Sequence, residues 1–374
     1  MALAGKDDHF YSDTPRHNGN SLVTDLLLPD DPSNIDAEWL TQMLQQAGTD
    51  AVVTGFSTAS IGTGQVGENV RFSLEGTGDL PETLVGKFPS PDPVSRQAGI
   101  AMLNYRREVH FYQHLQQRVN IQTPRVYHTD INDETHNFVL MMEDLAPGRQ
   151  GDQLGGCDVE SACLAMEQLA HLHGPVWGDT SLSHELLTSR SEDPATLKEL
   201  YDTVCPGFLA RYSDRLTPAE QHMVRTVGEN LIAYTMNYQG PQTLIHIDYR
   251  LDNMMFNGPY PLTVVDWQSI AYGCGLNDAS YFVGTSLEPS MRAENDEYLL
   301  RQYFRALTEY GADITWEECW KYYCVNAPAG LIMAVVASMI VGETPRGNDM
   351  FMAMAKRSAK MCEDLNAIDI IRRG

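Results

Sequence analysis

Basic residues are scarce in this 374-residue chain: 26 lysines and arginines stand against 50 aspartates and glutamates, for a formal net charge of −24. So acidic a surface has little with which to neutralise phosphates, which argues against nucleic acid and against an anionic membrane as partners. No C-x-x-C pair occurs among the seven cysteines (157, 163, 205, 274, 319, 324 and 362), so no zinc site is indicated. Their odd number and scatter suit reduced thiols in a cytoplasmic protein. No apolar run reaches bilayer length. The longest, Ala327 to Val341, contains Pro328 and Gly330 and stops at Gly342-Glu343, so it reads as a core helix. The N-terminal Met-Ala-Leu-Ala-Gly-Lys-Asp-Asp-His turns acidic before a signal-peptide core could form. Internal repeats and low-complexity tracts are absent from the sequence as well.

What is present is a chain long enough for a large core, with 43% hydrophobic residues, and a cluster of chemistry near its middle. His246-Ile-Asp248-Tyr-Arg250-Leu-Asp252-Asn253 follows a short apolar strand, and Leu-Thr-Val-Val-Asp266-Trp-Gln268 follows soon after. This arrangement suits phosphoryl transfer. Asp248 can accept or orient the proton of an attacking hydroxyl, while the Asn253 amide oxygen and the Asp266 carboxylate are hard ligands for magnesium. His246 and Arg250 read as braces of the loop, and Asp252 as a cap.

Such chemistry demands further parts upstream. Gly62, Gly64 and Gly67 form G-x-G-x-x-G, where backbone amides can approach phosphates. A Rossmann turn would need a helix directly after it; the alternation of Asn69-Val70-Arg-Phe-Ser-Leu74 predicts a strand instead, hence a hairpin lid over nucleotide. Val70 falls one residue later than the protein-kinase pattern places it. Lys87 sits centrally in the apolar strand Thr83-Leu-Val-Gly-Lys-Phe88, where an unpaired ammonium would be costly. Its partner is expected to be Glu108, on a helix predicted over 97–117. The strand Asn137 to Met142 runs into Glu143-Asp144, the expected hinge, whose backbone would meet adenine.

On these motifs the chain resembles the aminoglycoside phosphotransferase-like superfamily, the small-molecule branch of the protein-kinase-like fold. The 246–253 loop is similar to that family's His-Gly-Asp-x-x-x-x-Asn loop, with Ile247 in place of glycine. Val265-Asp266-Trp267-Gln268 resembles its magnesium motif, and the glutamine after the aromatic points to the ecdysteroid-kinase-like (CHK-like) branch. The resemblance spans roughly residues 50 to 360. It implies an α+β, bilobal fold with a small β-rich N-lobe and a larger, mostly helical C-lobe. It also implies ATP (GTP possible) with Mg2+, and transfer to a hydroxyl of an aminoglycoside-, amino alcohol- or sterol-like acceptor. Gly62, Gly64, Gly67, Lys87, Glu108 and Glu143 would then bind the nucleotide, Asn253 and Asp266 the metal, and Asp248 would be catalytic. The alternatives are a protein kinase, disfavoured because no Ala-Pro-Glu follows Asp266, and a nucleotide-binding pseudokinase-type interaction module.

The expected division is a polar arm over 1–34, an N-lobe over 35–143 and a C-lobe over 144–374. Helices are predicted over 36–47 (capped by Asn34 or Asp36), 158–172, 218–238 and 349–370. His171 and His173 lie about 200° apart on their helix, so structural roles are expected for both. Asp278 reads as a helix N-cap that also anchors the catalytic loop. Trp177, Tyr201, Phe208, Tyr212 and Tyr281 read as core, or as the lining of an apolar acceptor pocket.

Overall fold

A computed structural model of the protein describes residues 26–29, 31–62, 66–188, 194–237 and 240–374. Its fold is α+β and bilobal. The first lobe is built on a five-stranded antiparallel sheet of order β1-β2-β3-β5-β4, from β1 (Val52–Ile61), β2 (Gly67–Thr77), β3 (Thr83–Pro89), β4 (Val126–Ile131) and β5 (Phe138–Glu143). Alternation decides its faces. Val70, Phe72, Leu84 and Phe88 are buried beneath helix α1 (Ala37–Gln46), which contributes Trp39, Leu40, Met43 and Leu44. Of the two candidate caps of α1, Asp36 is the one used: its carboxylate accepts the Trp39 N–H at 2.8 Å. Of the arm expected over 1–34, residues 1–25 and 30 lie outside the described residues. Leu26 is buried in the same cluster, and Trp39 Nε1 donates to Leu27 O at 2.9 Å.

The single helix predicted over 97–117 is broken. Helix α2 (Pro93–Ala101) ends before Leu103, a non-glycine residue at φ 59°, and α3 (Asn104–His110) starts on a new axis. A π-helical turn (Phe111–Leu115) and a 3-10 turn (Gln116–Arg118) continue it. The hydroxyl of Tyr105, at the start of α3, donates to Val66 O at 2.6 Å and accepts from Ser90 N at 3.2 Å. The break therefore places α3 against the glycine-rich hairpin, a tertiary requirement that helical periodicity cannot carry.

The second lobe holds the short strands β6 (Arg149–Gln150), β7 (Gln242–Ile245), β8 (Met254–Phe256), β9 (Leu262–Val264) and β10 (Ala271–Cys274). They pair antiparallel as β6-β8-β9 and β7-β10. Around them pack α4 (Val159–His173), α5 (Pro194–Arg211), α6 (Pro218–Glu229), α7 (Leu231–Asn237) and α8 (Gly275–Ser286). The C-terminal helices are α9 (Pro289–Glu309), α10 (Trp316–Val325), α11 (Ala329–Ile340), α12 (Pro345–Asp364) and α13 (Ala367–Arg373). Asp158, at the start of the span predicted as helical, caps α4 by accepting the Ser161 N–H at 2.8 Å. The helix predicted over 218–238 divides at Asn230, with Tyr238 outside the described residues, and the one over 349–370 divides at Asn366, which adopts φ 50°. The stretch Trp316–Ile340 is long and apolar enough to cross a membrane, yet it bends at 326–328 and 72% of its most apolar window is buried in the fold. The larger apolar core extends from these helices to Tyr105, Val109 and Phe111 beside the sheet and to Phe138 and Leu140 of β5.

Candidate active site

The 246–253 loop leaves β7 at Ile245 and passes through a 3-10 turn, Leu251–Asn253, into β8. Its shape is imposed by α8. Asp278, fully buried in the first turn of that helix, accepts His246 N–H at 2.6 Å and Ile247 N–H at 2.9 Å. It is thus an anchor of the loop and not an N-cap, the cap position being held by Cys274. Two bonds on one carboxylate hold Ile247 at φ 69°, a conformation a β-branched residue rarely adopts. His246 is also buried, and its Nε2 pairs with Val265 O at 3.2 Å, joining the loop to the segment before Asp266.

Asp248 is held from three directions. Arg250 Nε and Tyr281 Oη each donate to Oδ1 at 2.9 Å, and Asn253 Nδ2 donates to Oδ2 at 2.9 Å. Burial pushes its pKa up, but Arg250 and His246 nearby and the bonds from Tyr281 and Arg250 outweigh that and leave it below the usual carboxylate range. The group is therefore an ionised acceptor at neutral pH. Arg250 also donates to Asp252 at 2.8 Å, and Arg346 of α12 grips Asp252 with two bonds of 3.0 Å. The Asp252 carboxylate thus ties α12 to the loop and is not a cap.

Asn253 Nδ2 donates to both Asp248 O (2.8 Å) and Oδ2. Both partners are acceptors, which fixes the amide's orientation and leaves Oδ1 as its free face. Val265 N donates to Asn253 O at 3.0 Å, so the strand leading to Asp266 runs beside Asn253. Asp266 adopts φ 67° and projects its carboxylate from the strand end. There Lys87 Nζ lies 2.8 Å from Asp266 Oδ1 and 2.7 Å from Glu108 Oε2. Burial disfavours the lysine charge, but the two carboxylates more than offset it and hold Lys87 protonated. Glu108, almost fully buried, has its pKa raised by burial, with Lys87 opposing. The amide of Asn253 and the outer oxygen of Asp266, which accepts from Gln268 at 3.1 Å, are a hard-oxygen pair of the kind that holds magnesium together with phosphate and water. Among the described residues no group of three or more His, Cys, Asp and Glu side chains could hold a metal by itself.

The glycine-rich segment is partly described. Gly62 adopts φ 73°, and a Cβ on Gly67 would lie 3.1 Å from Phe88 O and 3.3 Å from Lys87 Cε. Glycine at 67 thus lets the hairpin lie directly over the lysine. Gly64 lies outside the described residues. Register explains the displaced valine: Asn69 pairs with Lys87, so Asn69 and Arg71 face the cleft while Val70 points into the core. Arg71 makes a bidentate pair with Asp144 at the strand end, 2.5 and 3.0 Å. Glu143 uses its carboxylate and its amide on Arg125, so neither is directed into the cleft.

Arg71 and Arg346 escaped the sequence reading, and Tyr281 was read only as core or as the lining of an acceptor pocket, not as a partner of Asp248. Tyr281 had a usable signal, since it follows Asp278 by three positions on one helical face. His171 and His173 are structural, their Nδ1 atoms pairing with the hydroxyls of Tyr310 (2.7 Å) and Tyr303 (2.8 Å). Tyr201, Phe208 and Tyr212 are fully buried core, and Trp177 packs against that core.

A family model described as the ecdysteroid kinase-like family matches residues 71–316, which include Lys87, Glu108, the 246–253 loop, Asp266 and Asp278 but not Gly62, Gly67, Asn69 or Arg346. The chain belongs to the ecdysteroid kinase-like family. One solved structure agrees in fold, and others are similar more distantly. An aminoglycoside phosphotransferase assigned from Ralstonia eutropha JMP134 aligns over 88% of this chain and 98% of its own, at a TM-score of 0.52 and 16% identity. An ethanolamine kinase of Plasmodium vivax aligns over 82% of each chain, at 0.49 and 10%. The gentamicin complex of the aminoglycoside phosphotransferase APH(2″)-IIa covers 88% and 98%, at 0.48 and 18%. Comparison with curated proteins gives no match. This ecdysteroid kinase-like chain therefore shares the architecture of small-molecule kinases.

Proposed function

We propose that the protein is an ATP-dependent phosphotransferase that moves the γ-phosphoryl group to a hydroxyl of a small molecule, with GTP as a possible alternative donor. The observation that carries this reading is Lys87 suspended between Glu108 and Asp266, with Asp248 oriented on the neighbouring loop. A buried lysine with two carboxylate partners is poised to exchange one of them for phosphate. Glu108 keeps the ammonium in place. Asn253 Oδ1 and Asp266 would hold Mg2+, which when bound supplies charge neutralisation to the phosphates. Asp248, ionised and weakly basic, orients the acceptor hydroxyl and does not need to remove its proton early, as a loose transition state permits.

Two observations favour a small acceptor over a protein. Helix α8 begins at Gly275, soon after Asp266, leaving no long segment on which a peptide could dock. The family match points the same way. The acceptor class stays with aminoglycosides, amino alcohols and sterol-like alcohols. A cytoplasmic setting is supported by the seven unbridged cysteines, of which burial pushes Cys274, Cys324 and Cys362 up to about 12.

The test is a thermal-shift titration with ATP, GTP and ADP, each with and without magnesium, on wild type and Asp266→Ala. Magnesium-dependent stabilisation lost in the variant supports the reading. No shift with any nucleotide removes it.

A further inference from the structure

A carboxylate offers about four lone-pair positions, two on each oxygen. On Asp248 they are filled unequally. Oδ1 accepts from Tyr281 Oη and from Arg250 Nε, both at 2.9 Å, and is saturated. Oδ2 accepts from Asn253 Nδ2 alone, at 2.9 Å, and keeps one position open. The side chain is 22% exposed, so that position is reachable.

We propose that Tyr281 is the positioning residue that, with Arg250, occupies Oδ1 of Asp248 so that the acceptor hydroxyl is received at Oδ2. This rests on the phosphotransfer reading above. The two donors do different work. Arg250 is shared with Asp252, and its place is set by a network that reaches Arg346. Tyr281 is 1% exposed and immobilised in the main core, and its hydroxyl is directed at Asp248. It stands one turn after Asp278, which holds the backbone of the same loop. Helix α8 thus fixes both the path of the loop and the rotation of its carboxylate. Burial pushes the tyrosine pKa well up, so the phenol stays a donor throughout.

In the step this serves, a lone pair of the acceptor oxygen forms the new bond to the γ-phosphorus. The bond from that phosphorus to the β–γ bridging oxygen breaks, and its electron pair leaves with the nucleoside diphosphate. The hydroxyl proton passes to Oδ2 and from there to solvent. A carboxylate free to rotate would present Oδ1 and Oδ2 interchangeably and would align the hydroxyl less often.

Tyr281→Phe keeps the ring and removes the bond. The probe is Mg-ATP with water as acceptor, followed as hydrolysis against pH, beside a carboxyl 13C NMR titration of Asp248 assigned with Asp248→Asn. In Tyr281→Phe we expect kcat to fall roughly tenfold or more, the size of one bond to a charged group. We expect KM for Mg-ATP to be unchanged and the acid limb to move to higher pH, because the lost donor favoured the ionised form. A wild-type kcat and acid limb would overturn the proposal. If wild type hydrolyses no ATP, the phosphotransfer reading fails on its own account, and the titration then decides: Asp248 titrating at higher pH in Tyr281→Phe supports the positioning role, and an unchanged titration overturns it.

Discussion

The Lys87 ammonium lies 2.8 Å from the carboxylate of Asp266, a residue 179 positions away. The cation that would hold phosphate and the anion that would hold metal thus neutralise each other. Loading requires them to part, and Glu108 is the partner that keeps the lysine in place meanwhile.

Lys87→Met would leave Glu108 buried without its counter-ion. We expect a loss of about 3–5 kcal/mol, the usual result of removing one member of a buried ion pair. Neutral Glu108 is cheaper to bury than its anion, so the deficit is smallest in acid and grows as pH rises through the carboxylate range. Urea unfolding at several pH values checks both size and slope.

Ile247 sits at φ 69° where glycine is at ease. Left-handed backbone costs a β-branched residue roughly 1–2 kcal/mol. Ile247→Gly sheds that strain while losing a half-buried side chain, and the two effects nearly cancel. We expect Ile247→Gly within about 1 kcal/mol of wild type, and Ile247→Ala, which keeps strain and loses packing, to be the less stable of the two. Thermal unfolding of the pair decides it.

Asp278→Asn retains shape but replaces one of the acceptors that hold the His246 and Ile247 amides. The cost expected is about 2–3 kcal/mol, since both bonds are charge-assisted and buried. Because Lys87, Glu108 and the glycine hairpin lie on the other lobe, ATP should still stabilise the variant while turnover collapses. Loss of nucleotide stabilisation together with turnover would contradict this separation.

Burial, with His114 and His184 beside it, pushes His110 down to about 4. Its ring centroid lies 4.9 Å from that of His114 and 5.3 Å from that of His184. A depressed histidine means that the unfolded chain binds more protons, so stability rises with pH across that interval. The fold should lose stability as pH falls from about 6.5, the free-histidine value, towards 4. His110→Phe should flatten the decline; an unaltered slope in chemical unfolding between those limits would refute the assignment.

The parts of the site that are polar residues set against apolar strands were legible in the sequence. Lys87, Asp248, Asn253 and Asp266 stood out because charge on or beside a buried strand needs a reason, and the structure brings them to one cleft. Segments set by tertiary packing were not legible. The break at Leu103 and the divisions at Asn230 and Asn366 carry no proline or glycine at the break. Tyr281 reads as core because its ring is core; only its spacing of three from Asp278 hints that its hydroxyl belongs to the site. Glu143 drew attention by its place at the strand end, yet its carboxylate accepts the backbone N–H of Arg125, just before the adjacent strand.

Trp267 follows Asp266 directly and stacks on Phe111 of the π-helical turn, centroids 3.8 Å apart and planes 2° from parallel. That face-to-face contact bolts the Asp266 segment to the helix carrying Glu108, so neither can shift without disturbing an indole ring. The protein carries its own optical gauge: two of its five tryptophans, Trp39 and Trp267, are buried, and in a Trp39→Phe background the emission of Trp267 registers whether the two halves of the ion-pair assembly are engaged.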